Sequence, residues 1–125
     1  MKVVANAPLT PSPFPGIQHA TLAGSDQGLG QLSLWQQILD PGSATPPHRH
    51  DCEEVVMCTA GNGALLSGSH RLSFGPNNTV CIPRNELHQI VNDGDEPLHM
   101  IAVFARSPVD AYFPGGERID LPWST

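Results

Sequence analysis

His48, His50 and Glu54 are the residues of this chain whose types and spacing carry the most chemistry. They lie in the stretch Gly42-x5-His48-x-His50-x3-Glu54-x6-Gly61. In an extended strand successive side chains alternate between faces, so these three, being of one parity, project to the same side. Two imidazoles and a carboxylate on one face make most of a coordination shell. Imidazole suits Fe, Ni, Cu and Zn while carboxylate suits harder ions such as Mn, so the mixed set indicates a first-row transition metal without choosing one. A fourth donor has to come from elsewhere, and His88 offers it in the later stretch Asn77-x5-Pro83-x-Asn85-x2-His88-x3-Asn92.

Taken together, the two stretches resemble the paired motifs of the cupin family, G-x5-H-x-H-x3,4-E-x6-G followed by G-x5-P-x-G-x2-H-x3-N. The first motif matches at every defined position. In the second, Asn77 and Asn85 stand where the family has glycine. Those glycines belong to turns expected to need positive φ, and Asn is the side chain that tolerates left-handed backbone best. The resemblance covers Ser33 to Phe113 and implies an all-β fold: a single antiparallel β-barrel, or double-stranded β-helix, of the jelly-roll kind. It implies one divalent transition metal per chain bound by His48, His50, Glu54 and His88. Fe or Mn is the expected ion, and Ni, Zn and Cu are compatible with the same donors. It also implies a homodimer.

Composition leads to the same fold class. The 125 residues fit one domain, and thirteen prolines and twelve glycines scattered between short apolar runs call for many turns and little helix. A formal charge of −6, with only six Lys and Arg, leaves no basic stripe for nucleic acid. No apolar run approaches the roughly 20 residues that span a bilayer. The start of the chain lacks the charged head and apolar centre of a signal peptide, so a cytoplasmic protein is expected. Cys52, Cys58 and Cys81 are odd in number and lack a Cys-x2-Cys pair, so neither a disulfide framework nor a zinc ribbon is indicated. Cys52 and Cys58 share the parity of the ligands and read as small buried hydrophobes.

The elements that must position these residues follow from the turn signals. Residues 1–16, with Pro8, Pro11, Pro13 and Pro15, read as an extended arm that lies across a partner subunit, and 17–125 as the barrel. A strand is expected over Gln31 to Leu39, with Leu32, Leu34, Gln36 and Ile38 on one face and Trp35 on the other. Further strands are expected at Glu54–Thr59, Ala64–Ser67, His70–Phe74, Thr79–Pro83, from His88, and at Leu98–Ala105. The dipeptide Gly68-Ser69 suits a two-residue hairpin and puts His70 at an exposed hairpin end. A short helical turn is expected over Asp110–Phe113, with the tail packed on the outside and Trp123 plugging an apolar patch. His19, just after the arm, has no partner in the sequence.

The donor set does not by itself choose a reaction. The run Val103-Phe104-Ala105-Arg106-Ser107-Pro108 is similar to the strand ending of small cupins that act on unsaturated uronates, but the acidic residue two positions before the Phe is Ala102 here. Losing that acid makes oxygen chemistry, of the Fe(II) dioxygenase type, the leading expectation for a small-molecule substrate. The alternatives are a metal-dependent isomerase or lyase on a sugar or polyketide-like substrate, and a metal-containing module that binds without turnover. The substrate-binding candidates are Gln36, Phe104 and Arg106, the last because its planar fork matches a carboxylate. His99, of opposite parity to Ala102 and Phe104, is read as structural.

Overall fold

The computed structural model describes residues 1–125. Nine strands follow one another: β1 (Thr10–Pro11), β2 (Ile17–Ala23), β3 (Ser33–Leu39), β4 (Glu54–Ala60), β5 (Gly63–Ser67), β6 (His70–Phe74), β7 (Thr79–Ile82), β8 (Gln89–Val91) and β9 (Leu98–Phe104). One 3-10 turn, Ser25–Gln27, is the sole helical element. The strands pair antiparallel into a six-stranded sheet, ordered β1-β2-β3-β9-β4-β7, and a three-stranded sheet, ordered β6-β5-β8. This is the all-β jelly-roll architecture expected from the sequence.

Alternation along the strands builds the core. β9 alternates buried and half-buried residues over its full length, and β4 alternates buried with exposed from Glu54 to Cys58. A cluster of 16 buried residues draws on both sheets, from Trp35, Leu39, Val56, Met100 and Phe104 on the larger to Leu65, Phe74 and Ile90 on the smaller. Burial of that apolar surface is what drives the two sheets together.

A segment outside the named strands completes the smaller sheet and brings the two motifs together. Residues 42–48 run antiparallel to 88–92: Gly42 N donates to Asn92 O, Thr45 N to Ile90 O, and His48 and His88 exchange both backbone bonds at 2.9 and 2.8 Å. A pair that exchanges both bonds sits directly opposite across the ladder, which fixes the two imidazoles side by side. Asn92 locks the end of this pairing. Fully buried, it donates from Nδ2 to Leu39 O and Glu96 O and accepts from Gly94 N.

The turn chemistry agrees with the motif reading. Asn77 and Asn85 have φ of 70° and 65°, so both occupy the left-handed region for which asparagine substitutes for glycine. Gly61 has φ 80° and a Cβ there would meet Pro97 O at 2.3 Å, so both conformation and space demand glycine.

Five expectations need correction. First, β3 presents Ser33, Trp35 and Leu39 to the interior, so the face carrying Leu34, Gln36 and Ile38 is the outer one. Second, no single strand carries His48, His50 and Glu54: His48 and Arg49 bridge to different partners, His88 and Tyr112, and β4 starts only at Glu54. Third, the arm is partly tied to its own domain, since Thr10 and Pro11 pair with His19 and Gln18 and Phe14 packs on the core. Fourth, Asp110–Phe113 is not helical; Tyr112 bridges to Arg49 and Arg118 in extended backbone. Fifth, the tail runs over the mouth of the core rather than along the outside, because Thr125 is pinned there by bonds from Ser25, Ser107 and Val109.

Candidate metal centre

His48, His50, Glu54 and His88 each offer a donor atom, and these atoms all lie within 4.8 Å of one another. Four different pieces of backbone deliver them, His88 standing just before β8. The 42–48 segment brings His48 against His88, the loop before β4 brings His50, and the first residue of β4 supplies Glu54. His50, Glu54 and His88 are buried to within 5 % of complete, while Glu53 faces solvent.

Each imidazole is oriented through its other nitrogen. His48 Nδ1 donates to Pro46 O at 2.6 Å, His50 Nδ1 to Asp110 O at 2.7 Å, and His88 Nδ1 to Glu86 O at 2.9 Å. A carbonyl can only accept, so each ring carries its proton on Nδ1 and turns an Nε2 lone pair toward the common centre. The proline pair Pro46-Pro47 before His48 fixes the backbone that makes the first of these bonds.

The interior of the cluster is electrostatically prepared for a cation. Glu54 Oε2 and His88 Nε2 are buried without a hydrogen-bond partner, although they are only 3.3 Å apart, and His50 Nε2 is 3.7 Å from the same oxygen. Burial lowers the His48 pKa to about 4, with repulsion from His88 and His50 adding to it. Burial likewise lowers that of His50. For Glu54, burial opposes ionisation, but the neighbouring imidazoles, His88 foremost, outweigh it and hold the carboxyl below its ordinary range. Burial also opposes protonation of His88, and there Glu54 outweighs it and raises the pKa. A cation at the centre would satisfy both orphaned atoms in the way a proton on His88 otherwise does. Neutral imidazoles around an ionised carboxylate form the donor set of a first-row divalent ion, so the residues fit the expected metal.

A cavity opens from this cluster. It lies between 18 lining residues, of which 12 are hydrophobic, and is partly open to solvent. Trp35, Met100, Ala102 and Phe104 from the larger sheet, Ile90 from the smaller, and Ala111, Ile119, Leu121 and Trp123 from the tail form its walls. Phe104 is wedged between Trp35 and His50, with ring centroids 4.2 and 4.9 Å away. His48, His50 and Glu54 are the only titratable residues in the lining; its other side chains with hydrogen-bonding groups are Gln37, Thr45 and the two indoles, of which Trp35 Nε1 donates to Ser33 Oγ and Trp123 Nε1 is buried without a partner.

The substrate-binding candidates are placed unequally. Phe104 lines the cavity as expected. Gln36 does not: its neighbour Gln37 is on the inner face of β3 and takes the place proposed for it. Arg106 lies outside the lining, held by Asp51 and, at 3.3 Å, by Asp110. Its guanidinium is spent on those carboxylates rather than offered to a ligand. Trp123 packs on the apolar core as expected, and it lines the cavity as well; its ring stacks on that of His19, for which the sequence offered no partner, at 3.8 Å with 13° between planes. The available signal for Trp35 and Gln37 was their shared parity with Leu39. Nothing local marked the tail. Cys52 is buried beside Asp51 and Glu54; burial first, then those charges, push its thiol up, so it stays protonated and packs as a small hydrophobe.

Fold and site together define a cupin domain with a three-histidine, one-carboxylate cluster able to hold a metal. Residues 1–116 match the auxin-binding protein family, and the chain belongs to that family. Among its relatives, auxin-binding protein 1 of Arabidopsis thaliana is 37% identical over 108 residues, covering 78% of this chain and 54% of the relative. Auxin-binding protein T85 of Nicotiana tabacum is 38% identical over 109 residues, covering 78% and 58%. The chain thus spans little more than half the length of these relatives. Among solved structures, a sugar phosphate isomerase of the cupin superfamily from Silicibacter pomeroyi superposes with a TM-score of 0.70 at 26% identity, covering 88% of this chain and 76% of that one. The polyketide cyclase RemF from Streptomyces resistomycificus gives 0.74 at 23% identity, covering 99% and 89%, and supports the fold alone.

Proposed function

We propose that this chain binds a small, largely apolar carboxylic acid, with the carboxylate on a divalent metal held by His48, His50, Glu54 and His88 and the apolar body in the cavity above it. The carrying observation is that the cavity wall holds no acid, base or cation besides the metal-ligand set. A bound divalent ion would supply a Lewis-acidic anchor for an anionic oxygen. The walls supply the rest: Trp35, Phe104 and Trp123 offer aromatic faces to a flat apolar group, and the buried setting strengthens the charge interaction by keeping water out. The names of the auxin-binding relatives support small-molecule binding. The dioxygenase expectation draws support from the donor set but none from the walls, where Ala102 stands in place of an acid and Arg106 is turned away.

The test is metal analysis followed by calorimetry with phenylacetate and acetate on protein loaded with Zn, Mn or Fe, with oxygen uptake recorded on the Fe form. One phenylacetate per chain should bind only when metal is present. It should bind more tightly than acetate by roughly 30- to 100-fold, the ratio expected for burying one aromatic ring. Failure of either carboxylate to bind in a metal-dependent way sinks the reading. Sustained oxygen uptake with consumption of the acid would replace it with the oxygenase.

A further inference from the structure

A chain of hydrogen bonds links the tail to the cavity wall, and its direction can be deduced from one end. The carbonyl oxygen of Ser124 can only accept, and Thr21 Oγ1 lies 2.6 Å from it. The single hydroxyl proton of Thr21 is therefore committed to the tail. The same Oγ1 lies 2.8 Å from His19 Nε2, so there it must accept, and the imidazole proton is on Nε2. A neutral imidazole has one N–H, which leaves His19 Nδ1 as an acceptor. The group of Gln37 that meets it at 3.1 Å is then the amide nitrogen, whichever way a side-chain amide would otherwise be turned. Burial of His19 lowers its pKa to about 4, which keeps the ring neutral near pH 7. Stacking on Trp123 and the edge contact with Trp35, at 5.1 Å between centroids, hold the ring plane.

We infer that His19 is a positioning residue for the cavity: fixed as the Nε2–H tautomer by Thr21 and the Ser124 carbonyl, it holds the Gln37 amide in one of its two orientations and so sets the hydrogen-bonding polarity of the wall at that position. One amide N–H of Gln37 is spent on His19. The second N–H and Oε1, which has no partner in the protein, are left to the cavity occupant. The consequence is that residues of the tail, distant in sequence, determine how the cavity addresses a polar group on its ligand. The inference rests on the binding function proposed above only for the nature of that occupant.

The experiment is nitrogen-15 spectroscopy of histidine-labelled protein, with Thr21→Val and Thr21→Ser. In the unsubstituted protein the His19 ring should show a protonated Nε2 and an unprotonated Nδ1; the reverse tautomer overturns the inference. Thr21→Val keeps the shape but removes both the acceptor for His19 and the link to the tail. It should make the Gln37 amide protons exchange several-fold faster. It should also weaken phenylacetate binding to the metal-loaded protein by roughly three- to tenfold, the effect of one misplaced hydrogen bond, with metal affinity unchanged. Thr21→Ser should restore both. Unchanged Gln37 exchange in Thr21→Val overturns the inference. If phenylacetate does not bind even the unsubstituted protein, the proposed ligand class fails, while the tautomer and the exchange rate still decide the role of His19.

Discussion

Glu54 is the only carboxylate of the cluster and the only formally charged residue in the five longest strands of its sheet. Replacing it by Gln keeps the volume but removes the charge that offsets a divalent cation in a buried site. Metal affinity in Glu54→Gln should therefore fall by at least about 100-fold, beyond what loss of an outer hydrogen bond costs, while Glu53→Gln, on the exposed face, should leave it unchanged. Competition with a chromogenic chelator measures both. If Glu53→Gln released the metal and Glu54→Gln did not, the assignment of the carboxylate would be wrong. His19 gives a prediction on stability. Its folded pKa of about 4 lies below the unfolded value near 6.5, so between those values the unfolded chain takes up the proton and the native one does not. This contribution is absent above pH 6.5 and destabilises increasingly as pH falls toward 4. Between pH 7 and pH 5 it should cost roughly 1–2 kcal/mol. His48 acts in the same direction, so the measurement is the difference in pH dependence between the unsubstituted chain and His19→Gln in urea titrations. Parallel curves would exclude the assignment.

At the scale of elements, the site depends on turns as much as on strands. Asn85 holds φ at 65° and its N–H donates to His50 O at 2.8 Å, so this turn also steadies a ligand. Asn85→Gly should be nearly neutral, whereas Asn85→Val, with a branched side chain in the left-handed region, should lose about 1–2 kcal/mol. Thermal denaturation of the two variants separates conformation from side-chain contact. These turns were legible in the sequence because asparagine in place of glycine has a local conformational meaning. The strands β4 to β9 were legible to within a residue or two for a similar reason, since alternation is a local signal. The inner face of β3 was not. Alternation gives two faces, and apolar residues decide between them only when the other face is polar. On β3 both carry apolar residues, Leu34 and Ile38 outside against Trp35 and Leu39 inside, so the sign was lost and with it Gln37. The tail carried no periodicity at all. Its course follows from Thr125 bonding to Ser25, Ser107 and Val109, contacts that no window of sequence contains.

For the whole molecule, the same apolar outer face that misled the reading of β3 bears on assembly. Cross-strand registers place Leu34, Val103, Val55 and Cys81 in one row across β3, β9, β4 and β7, and Gln36, Ile101, Met57 and Thr79 in the next. Val55 and Met57 are 38% and 46% exposed, and neither row contains a charged side chain. A contiguous apolar patch on a chain of net charge −6 is the kind of surface that soluble proteins cover. A second copy presenting the same uncharged rows across a two-fold axis meets no charge repulsion there, and cyclic dimers are the commonest closed assembly. The expected homodimer should therefore form through this sheet face rather than through the arm, whose Thr10–Pro11 segment is already paired with β2. Met57→Asp places a carboxylate beside its own symmetry-related copy. It should shift the protein to monomer at micromolar concentration in light scattering, with metal content unchanged because Met57 points away from the cluster. Removal of residues 1–8, which lie before the paired segment, should leave the dimer intact. A monomer in the unsubstituted protein would refute the assembly, and a dimer that survived Met57→Asp but not the truncation would return the interface to the arm.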